Sequence, residues 1–394
     1  MDNRITLLAG CEEPENYPIQ PFEENTINFL IDLSHRISTS EILKVYQEVR
    51  AFGFWCRESN LRKMCHQYHE GDIGIGKVFH IVASNVPCLF AYSLAISMIC
   101  GNSNIVRLST RVGKEDEILV NLIKEMIKED IYEKISNRLS IITYDRSDEI
   151  SEELLNHCDG YIVWGGDETV KRIRSLVVNP DITELVFPDR YSIAIFDVKE
   201  QINKTKEELT HFVHRFYNDT YQVNQNACSS PRFVFWVTKD ESEEQRKTVQ
   251  KRFWDILDEQ LKDYVIEEDT AYRKYEALAI TSLKNGGIKD IQRKNTKLMI
   301  ATLEGLNKTM NHYKGNCGVF YQMDIKDVSE IAPYCDNRLQ TITYSGLSKE
   351  EIRNSLISGK AKGGRRIVTV GEALSMFEVW DGRRVYFLLT KSLF

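Results

Sequence analysis

The segment from Val78 to Val106 contains no Lys, Arg, Asp or Glu, and this limits the possible folds more than any other feature of the sequence. A charge-free stretch of this length is long enough to cross a bilayer. Its middle, however, holds Asn85 and Pro87 between an apolar run of strand length, VFHIVA, and one of helix length, LFAYSLAISMIC. Gly101 and Asn102 then end the helix, and NIVRL begins a second strand. We therefore interpret the segment as a buried strand–helix–strand unit and expect no membrane span.

The apolar runs beyond this unit predict an α/β fold. Strands alternate with helices from about residue 78 to about residue 197, which is typical of a parallel, doubly wound sheet with helices on both faces. For 394 residues we expect two domains, 1–197 and 198–365, the second also α/β. A tail of apolar strands, 366–394, is expected to return to the first domain or to pair with another subunit, because an exposed apolar edge invites strand addition.

Charge and cysteine content exclude several classes of function. The 51 basic residues are interleaved with 58 acidic ones, for a net charge of −7, so the sequence offers no basic surface for nucleic acid. Nine scattered cysteines and the lack of an apolar signal segment at the start favour a reducing cytoplasm. Cys56, Cys65, His66 and His69 match no common zinc-ligand spacing, and we expect no metal site. Neither a G-x-S-x-G nor a P-loop motif occurs.

Cys228 is the strongest candidate for a nucleophile. It lies in NQNACSSPR, between a helix and the strand RFVFWV, where a loop can present a thiol to a cleft. Sulfur is the best side-chain nucleophile at neutral pH because part of it is already thiolate, and neighbouring amide donors raise that fraction. Taken alone, however, one cysteine among nine is more often a buried small apolar residue.

Two further turns follow apolar strands, at positions where α/β sheets bind ligands. Asn85 ends the run HIVASN, and its amide could donate to a developing oxyanion or simply cap the next helix. Gly165 and Gly166 join YIVW to DETVKRIR, and the helix N-terminus there offers unpaired N–H groups to a phosphate. Because this is not a G-x-G-x-x-G motif, an ordinary tight turn is the alternative interpretation.

Together, these motifs and their order resemble the aldehyde dehydrogenase superfamily and, more closely, its acyl-CoA reductase (LuxC) branch. The resemblance runs from about residue 75 to about residue 383. IVASNVP stands where the superfamily has a strand ending in P-W-N-x-P, and CGNSNIVRLST matches its G-N-x-x-V-x-K-P segment. DGYIVWGGDETV matches the D-x-x-x-F-T-G-S-T-x-x-G segment, and NQNACSSPR matches the G-Q-x-C segment. RRIVTVGEAL followed by FEVWDG is similar to the ending of the LuxC branch in particular.

This resemblance implies an aldehyde-dehydrogenase-like fold, with 1–197 as the NAD(P)-binding domain and 198–365 as the catalytic domain. It makes Cys228 the nucleophile and Asn85 the amide that holds the oxyanion. The cofactor-binding positions that it implies are Ser84, Arg107, Ser109, Thr110, Gly165, Gly166 and Asp167. Among these, Arg107 would contact the ribose, and the two glycines would lie at the pyrophosphate.

Three departures from the superfamily pattern shape the expected chemistry. Phe187 stands where hydrolytic members have the glutamate that activates water, which argues against oxidation of an aldehyde to an acid. Thr110 replaces a glutamate that binds the ribose 2′-OH in many NAD-using relatives. Beside Arg107, Ser109 and Arg111, this small residue leaves room and countercharge for a 2′-phosphate, so we expect NADPH rather than NADH. LQTITYSG replaces the E-x-F segment, which leaves the nicotinamide ribose without an assigned contact.

The resemblance therefore implies NADPH-dependent reduction of an acyl thioester to an aldehyde through an acyl-cysteine. The donor is left open between acyl-CoA, acyl carrier protein and an acyl group handed over by an acyl-protein synthetase. An acyl phosphate is the nearest alternative donor, and a non-catalytic scaffold that keeps the fold is an alternative of another class. Because the terminal strands are apolar, we also expect a homo-oligomer.

Overall fold

The computed structural model describes residues 2–83, 86–266, 268–315, 317–375, 379–380 and 382–393. The strands are β1 (Thr6–Gly10), β2 (Asp72–Gly74), β3 (Lys77–Ile81), β4 (Ser103–Leu108), β5 (Leu139–Thr143), β6 (Gly160–Trp164), β7 (Thr183–Phe187), β8 (Tyr191–Asp197), β9 (Pro231–Val237), β10 (Ile288–Arg293), β11 (Met299–Leu303), β12 (Val319–Ile325), β13 (Leu339–Ser345), β14 (Arg366–Thr369), β15 (Val379–Trp380), β16 (Arg383–Arg384) and β17 (Thr390–Ser392). The helices are α1 (Glu24–Thr39), α2 (Gln47–Trp55), α3 (Glu58–Met64), α4 (Leu89–Ile99), α5 (Lys114–Met126), α6 (Glu133–Ser136), α7 (Asp148–Asn156), α8 (Asp167–Leu176), α9 (Val198–Asn203), α10 (Lys206–Thr220), α11 (Glu243–Gln260), α12 (Glu268–Asn285), α13 (Lys349–Ser358) and α14 (Val385–Leu389).

The chain divides into two compact units, residues 1–189 with 377–394 and residues 190–376. The first boundary lies before β8 rather than after Asp197, because β8 pairs in parallel with β9 and β13 of the second unit. Every residue of β8 is buried, so its apolar pattern could not show which sheet it joins. The second boundary also differs from the expected one between residues 365 and 366. β14 pairs with β13 in the second unit, and the chain returns to the first unit at residue 377.

The first unit is built on a six-stranded sheet with the strand order β1-β5-β4-β3-β6-β7. β3 to β7 run parallel, and β1 pairs antiparallel with β5 at one edge. Because β4 and β6 lie on opposite sides of β3, the winding of the chain reverses at β3. Ligands of open α/β sheets bind at such a reversal, beyond the carboxyl ends of the strands.

The charge-free segment forms β3, α4 and β4 in this unit, and β3 is buried throughout. His80 of β3 is bonded through Nδ1 to Ser93 Oγ at 2.8 Å and through Nε2 to Asn104 Oδ1 at 2.9 Å. Burial lowers the pKa of His80 to about 4, so the ring is neutral at pH 7. Of the helices that the structure describes, none is long and apolar enough to cross a membrane.

The C-terminal segment is not made of strands alone. β15 and β16 form a hairpin, and β17 pairs antiparallel with β2. The run VYFLL, expected as a strand, is helix α14, with Val385, Tyr386 and Leu389 buried. This spacing of buried residues suits a helical turn, whereas the sequence shows only five apolar residues in a row. Asn102 donates to the carbonyl oxygen of Leu389 at 3.0 Å and so ties the end of α14 to the start of β4.

The second unit is built on a seven-stranded sheet with the order β10-β11-β12-β9-β8-β13-β14. All of its pairings are parallel except that of β10 with β11. Alternate residues of β9 serve two separate cores. Phe233 and Phe235 belong to one of them, and Val234 and Trp236 belong to the other. The sheet is therefore buried on both faces, as parallel sheets generally are.

Candidate active site

Cys228 lies in the loop between α10 and β9. The turn after α10 holds Asn224 and Gln225 in the left-handed region, with φ of +51° and +56°, and asparagine tolerates this conformation better than most residues. The N–H of Ser230 then donates to the carbonyl oxygen of Ala227 at 3.0 Å. This bond closes a tight turn of which Cys228 is the second residue. The cysteine is half-buried on this turn.

The buried side chain of Gln225 holds the loop in place through three hydrogen bonds to the backbone. Its buried side-chain NH₂ donates to the carbonyl oxygens of Pro231 at 2.8 Å and Val319 at 3.2 Å. Its Oε1 accepts the N–H of Gly318 at 3.0 Å. These three bonds join the loop to the first residues of β9 and β12. A buried amide whose donors and acceptor are all matched holds the backbone three residues before Cys228 in one conformation.

The backbone of Cys228 is held from β8 as well. The hydroxyl of Ser192 donates to the carbonyl oxygen of Cys228 at 2.7 Å, and its Oγ accepts the N–H of Thr341 at 3.1 Å. Ser192 and Thr341 are both fully buried. The turn that carries the cysteine is thus attached to two adjacent strands of the second sheet, β8 and β13.

Exposure distinguishes Cys228 from the other cysteines of its unit. Cys317 and Cys335 are buried, and burial raises the pKa of Cys335 to about 12, so that thiol stays protonated at neutral pH. In the first unit Cys11 and Cys65 are half-buried, and burial is the largest cause that raises the pKa of Cys11. The remaining four, all in the first unit, are buried: Cys56, Cys88, Cys100 and Cys158.

Asp219 is a buried residue near the end of α10 that motif spacing did not identify. Its carboxylate accepts the N–H groups of Gly371 at 2.6 Å and Ala373 at 2.8 Å. Arg366 donates to three carbonyl oxygens of the same segment. Burial raises the pKa of Asp219 to about 7, and the charges of Arg366 and Arg215 oppose this rise. The residues that follow β14 in the RIVTVGEAL segment therefore form a turn that is held by hydrogen bonds to Asp219 and Arg366.

The implied cofactor residues that the structure describes lie at the carboxyl edge of the first sheet. Arg107, Ser109 and Thr110 stand at the end of β4, and Gly165, Gly166 and Asp167 join β6 to α8. Because β4 and β6 flank β3, both groups lie next to the strand at which the winding reverses. Ser84 and Asn85, which follow β3 in the chain, lie outside the described residues.

Arg107 is half-buried and has an unmatched donor. Its Nη2 donates to the carbonyl oxygen of Tyr144 at 3.2 Å, and its guanidinium carbon lies 4.7 Å from the centre of the Tyr144 ring. Its Nε is buried and has no hydrogen-bond partner among the described residues. A buried donor on a cation has an energetic cost until an acceptor reaches it, so this position suits an anion.

The Gly165–Gly166 turn leads directly into α8. Gly166 is the N-cap, and Asp167 and Glu168 occupy the first turn of the helix. A Cβ atom at Gly166 would lie 3.3 Å from the carboxylate of Asp189, so a larger residue here would require that side chain to shift slightly. The Asp167 carboxylate is negatively charged, as a pyrophosphate is, so it would repel this group. A pyrophosphate at this position would accept a hydrogen bond from the backbone N–H of Asp167 instead.

An aromatic cluster covers the carboxyl ends of β6 and β7. Trp164 stacks on Phe187 with the ring centres 3.8 Å apart and the planes 12° from parallel. Trp380 lies 5.6 Å from Trp164 between ring centres, and Trp164 Nε1 donates to Ser93 Oγ at 3.1 Å. Sequence reasoning identified Phe187 alone, although the WGG and WDG sequences that contain the two tryptophans were visible. Phe187, which the resemblance aligns with the hydrolytic glutamate, is thus packed face to face against Trp164.

Cys56, Cys65, His66 and His69 are the residues that were considered as zinc ligands. Cys65 and His66 lie in a short 3₁₀ turn, Cys65–Gln67. Across the described residues, no group of three or more His, Cys, Asp or Glu side chains is arranged to hold a metal ion.

Residues 19–389 match the family described as acyl-CoA reductase (LuxC). A long-chain acyl-protein thioester reductase of Photobacterium phosphoreum is 26% identical over 310 residues, which are 75% of this chain and 57% of that protein. Another, of Vibrio harveyi, is 24% identical over 304 residues, 75% of this chain and 58% of that protein. The chain therefore spans less than two thirds of the length of these curated relatives.

Solved structures that match the fold include aldehyde dehydrogenases. Aldehyde dehydrogenase 21 from Physcomitrella patens matches with a TM-score of 0.65 at 12% identity, over 94% of this chain and 85% of that one. The NAD-dependent aldehyde dehydrogenase from Sinorhizobium meliloti matches with a TM-score of 0.65 at 12% identity, over 95% and 81%. These matches confirm the expected aldehyde-dehydrogenase-like α/β fold. Since the family match covers nearly the whole length, the chain belongs to the acyl-CoA reductase (LuxC) family.

Proposed function

We propose that this protein reduces an acyl thioester to an aldehyde with NADPH, by way of an acyl group held on Cys228. The observation that carries the proposal is the setting of Cys228, a half-buried thiol on a turn held by Gln225 on one side and Ser192 on the other. A nucleophile fixed in this way needs little reorganisation when it reacts. The name shared by the two relatives, long-chain acyl-protein thioester reductase, supports a long acyl chain on a protein thioester as the donor.

The reaction has two halves. In the first, the Cys228 thiolate attacks the carbonyl carbon of the donor, and the C–S bond to the carrier breaks. The carrier thiolate takes up a proton and leaves, so an acyl-cysteine remains. NADPH, when bound, supplies the hydride that reduces this acyl carbon. The resulting tetrahedral alkoxide collapses, and its C–S bond breaks to release the aldehyde and restore the Cys228 thiolate.

The first unit carries residues that fit a nicotinamide dinucleotide. Arg107 offers a buried Nε that has no hydrogen-bond partner among the described residues, and the Gly165–Gly166 turn offers backbone N–H groups at the start of α8. We assign the adenosine ribose to Arg107 and the pyrophosphate to the turn. Thr110 at the end of β4 favours NADPH, because it leaves space beside Arg107 that a glutamate would fill with negative charge. Ser84, and Asn85 as the oxyanion donor, belong to the proposal on the resemblance alone.

Phe187 favours reduction over hydrolysis. Hydrolytic relatives need a carboxylate at this position to take a proton from water. Here the side chain is buried and stacked on Trp164. With no base at this position to activate water, an acyl-cysteine would persist until it is reduced.

Intact-protein mass spectrometry tests the proposal. The chain is incubated without NADPH with acyl-CoA, acyl carrier protein thioesters and acyl phosphates of graded chain length. We expect an adduct of one acyl group that is lost in Cys228→Ala and kept in Cys65→Ala, a matched control because Cys65 is also half-buried. Addition of NADPH should then remove the adduct and release aldehyde. An adduct that survives in Cys228→Ala would contradict the proposal.

The same experiment separates the alternatives. If only acyl phosphates form the adduct, the donor is an activated phosphate and the chemistry at Cys228 is unchanged. If no donor forms an adduct and the chain does not bind NADPH in a fluorescence titration, a non-catalytic scaffold is the better description.

A further inference from the structure

A strongly basic loop leads into the last strand of the second sheet. It joins α13 to β14 and reads GKAKGGRR over residues 359–366, with four cations and no acidic residue. Arg366 is turned inward and donates to carbonyl oxygens of the turn that follows β14, whereas Lys360, Lys362 and Arg365 are exposed. None of these three exposed cations is ion-paired within the part of the chain that the structure describes. Lys360, Lys362 and Arg365 are called the basic loop below.

The backbone of the basic loop is bonded to the segment before β13. The N–H of Lys362 donates to the carbonyl oxygen of Cys335 at 2.8 Å, and the N–H of Gly364 donates to that of Leu339 at 2.9 Å. Lys360 is held in the left-handed region, with φ of +62°, which a lysine adopts at an energetic cost. Three like charges are therefore carried close together on a fixed backbone, and their mutual repulsion favours the binding of an anion.

An arginine stands immediately before each of three adjacent strands in this sheet. Arg190 precedes β8, Arg338 precedes β13, and Arg365 precedes β14. Because these strands are neighbours and run parallel, the three arginines lie along one edge of the sheet. The guanidinium of Arg190 donates to the carbonyl oxygen of Asn337, so its charge lies beside the start of β13. Positive charge therefore extends along this edge from β8 to the basic loop.

The same edge carries Cys228. The hydroxyl of Ser192 is bonded both to the carbonyl oxygen of Cys228 at 2.7 Å and to the N–H of Thr341 at 3.1 Å. Thr341 is in register with Arg366, the residue that directly follows the basic loop. Neighbouring strands lie about 4.8 Å apart, so β14 lies roughly 14 Å from β9, the strand that follows the Cys228 turn. The nucleophile and the basic loop are thus separated by two intervening strands of one sheet.

A pantetheine thioester has the length and the charge that fit this arrangement. Its acyl thioester is at one end of the arm, and a phosphate group is at the other. The arm contains two amide groups and spans roughly 15 Å when extended, at about 3.5 Å for every three backbone bonds. Guanidinium and ammonium groups bind phosphate oxygens through charge-assisted hydrogen bonds. Coenzyme A and pantetheinylated carrier proteins share this phosphate group.

We propose that the basic loop binds the phosphate of a pantetheine thioester while the acyl carbon of the same molecule lies at Cys228. Arg190 and Arg338 extend the positive charge from the basic loop toward the nucleophile. This rests on the proposed function, because it takes Cys228 as the acylated residue, and it adds a binding site for the carrier. An acyl donor without the phosphate gains nothing from the basic loop.

Acylation of Cys228 by thioesters of one acyl chain tests the proposal. Intact-protein mass spectrometry follows the reaction with acyl-pantetheine, acyl-phosphopantetheine, acyl-CoA and the acyl carrier protein thioester. Acyl-phosphopantetheine should reach its half-maximal rate at a concentration about tenfold lower than acyl-pantetheine. The double variant Lys362→Gln with Arg365→Gln should lose most of this advantage, about tenfold, while its acylation by acyl-pantetheine stays the same.

The matched control is Lys349→Gln. Lys349 is an exposed lysine of the same unit and the first residue of α13, so it lies at the end of that helix opposite to the basic loop. This variant loses the same type of charge and should keep the advantage of the phosphate. Because Lys362 and Arg365 are exposed, thermal unfolding of the double variant should match that of the original chain.

The larger donors separate the two sources of the phosphate. A loss with acyl-phosphopantetheine that extends to acyl-CoA alone identifies coenzyme A, and one that extends to the carrier protein alone identifies the carrier protein. Three results would overturn the proposal: no advantage of the phosphate in the original chain, an unchanged advantage in the double variant, or equal losses with acyl-pantetheine and acyl-phosphopantetheine.

Failure of the proposal is distinct from failure of the proposed function. A chain that forms the acyl-cysteine equally well from acyl-pantetheine and acyl-phosphopantetheine keeps the reduction and rejects the phosphate site. A chain that binds coenzyme A in a calorimetric titration, loses this binding in the double variant and never acylates Cys228 keeps the phosphate site and rejects the reduction.

Discussion

The hydroxyl of Ser192 donates a hydrogen bond of 2.7 Å to the main-chain carbonyl of Cys228. Ser192 is fully buried in β8, and its Oγ also accepts the N–H of Thr341 in β13. One small side chain therefore connects two adjacent strands to the backbone of the proposed nucleophile. Removing its hydroxyl would leave one carbonyl oxygen and one N–H group without this partner.

Ser192→Ala is expected to slow the acylation of Cys228 about tenfold, because small displacements of a nucleophile reduce its rate steeply. It should also lower the free energy of unfolding by about 2 kcal/mol through the unmatched polar groups. A mass-spectrometric time course and urea unfolding measure the two effects. The matched control is Ser34→Ala, whose buried hydroxyl donates to the carbonyl oxygen of Gly53 at 2.6 Å in the first unit. Equal acylation rates in the two variants would count against a positioning role for Ser192.

Gln225→Ala is expected to destabilise the second unit by about 3 kcal/mol, because it leaves two buried carbonyl oxygens and the buried N–H of Gly318 unmatched. The rate of Cys228 acylation should fall as well, because the loop loses the three hydrogen bonds that hold its backbone. Urea unfolding and the adduct assay report these changes. Gln222→Ala serves as control, because Gln222 is exposed after the same helix and donates to a side chain of α10, Asn218. If Gln222→Ala lowers stability and acylation as much as Gln225→Ala, the hydrogen bonds of Gln225 are not what holds the loop.

The apolar pattern was sufficient to predict the strand and the helix on either side of Ser84 and Asn85 in the chain. The runs VFHIVA and LFAYSLAISMIC predicted a strand and a helix, which the structure has as Lys77–Ile81 and Leu89–Ile99. Periodicity is a local property, so it reports the type of an element well. It carries no information on which strands pair. For that reason β8 was expected in the first sheet, although it lies between β9 and β13 of the second.

The bonds that shape the sites could not be predicted, because they join residues far apart in the chain. Ser192 is 36 positions from Cys228, Gln225 is 93 positions from Gly318, and Asp219 is 152 positions from Gly371. No local pattern marks one serine or glutamine as the partner of such a distant backbone group.

His80 makes the stability of the first unit depend on pH. Its folded-state pKa of about 4 lies below the ordinary value of 6.5, so the unfolded chain binds more protons between these values. Stability is therefore lost as the pH falls from 6.5 toward 4, by up to about 1.4 kcal/mol per pH unit. Between pH 7 and pH 5, the free energy of unfolding should fall by about 2 kcal/mol more in the original chain than in His80→Gln.

Urea unfolding at both pH values checks this expectation. The exposed residue His35 provides the control, and His35→Gln should keep the pH dependence of the original chain. If His80→Gln loses as much stability as the original chain between pH 7 and pH 5, the buried imidazole is not the source. A charged ring donates from both nitrogens, so Asn104 Oδ1 would go on accepting from Nε2, whereas the hydroxyl of Ser93 would lose its acceptor at Nδ1.

Phe187→Glu is expected to destabilise the first unit without creating a hydrolase. The change removes the ring stacked on Trp164 and places a carboxyl group at a buried position, for a loss of about 3 kcal/mol. Burial against two tryptophan rings should raise the pKa of the new carboxyl group, so it would stay protonated and serve poorly as a base for water. The product with acyl donor and NADPH should remain aldehyde, with no rise in free acid. Chromatography of aldehyde and free acid checks the product, and urea unfolding checks the stability. Phe387→Ala, which changes a half-exposed ring, is the control and should leave product and stability unchanged. Acid as the main product would show that water reaches the acyl group and that a single carboxylate is enough to activate it.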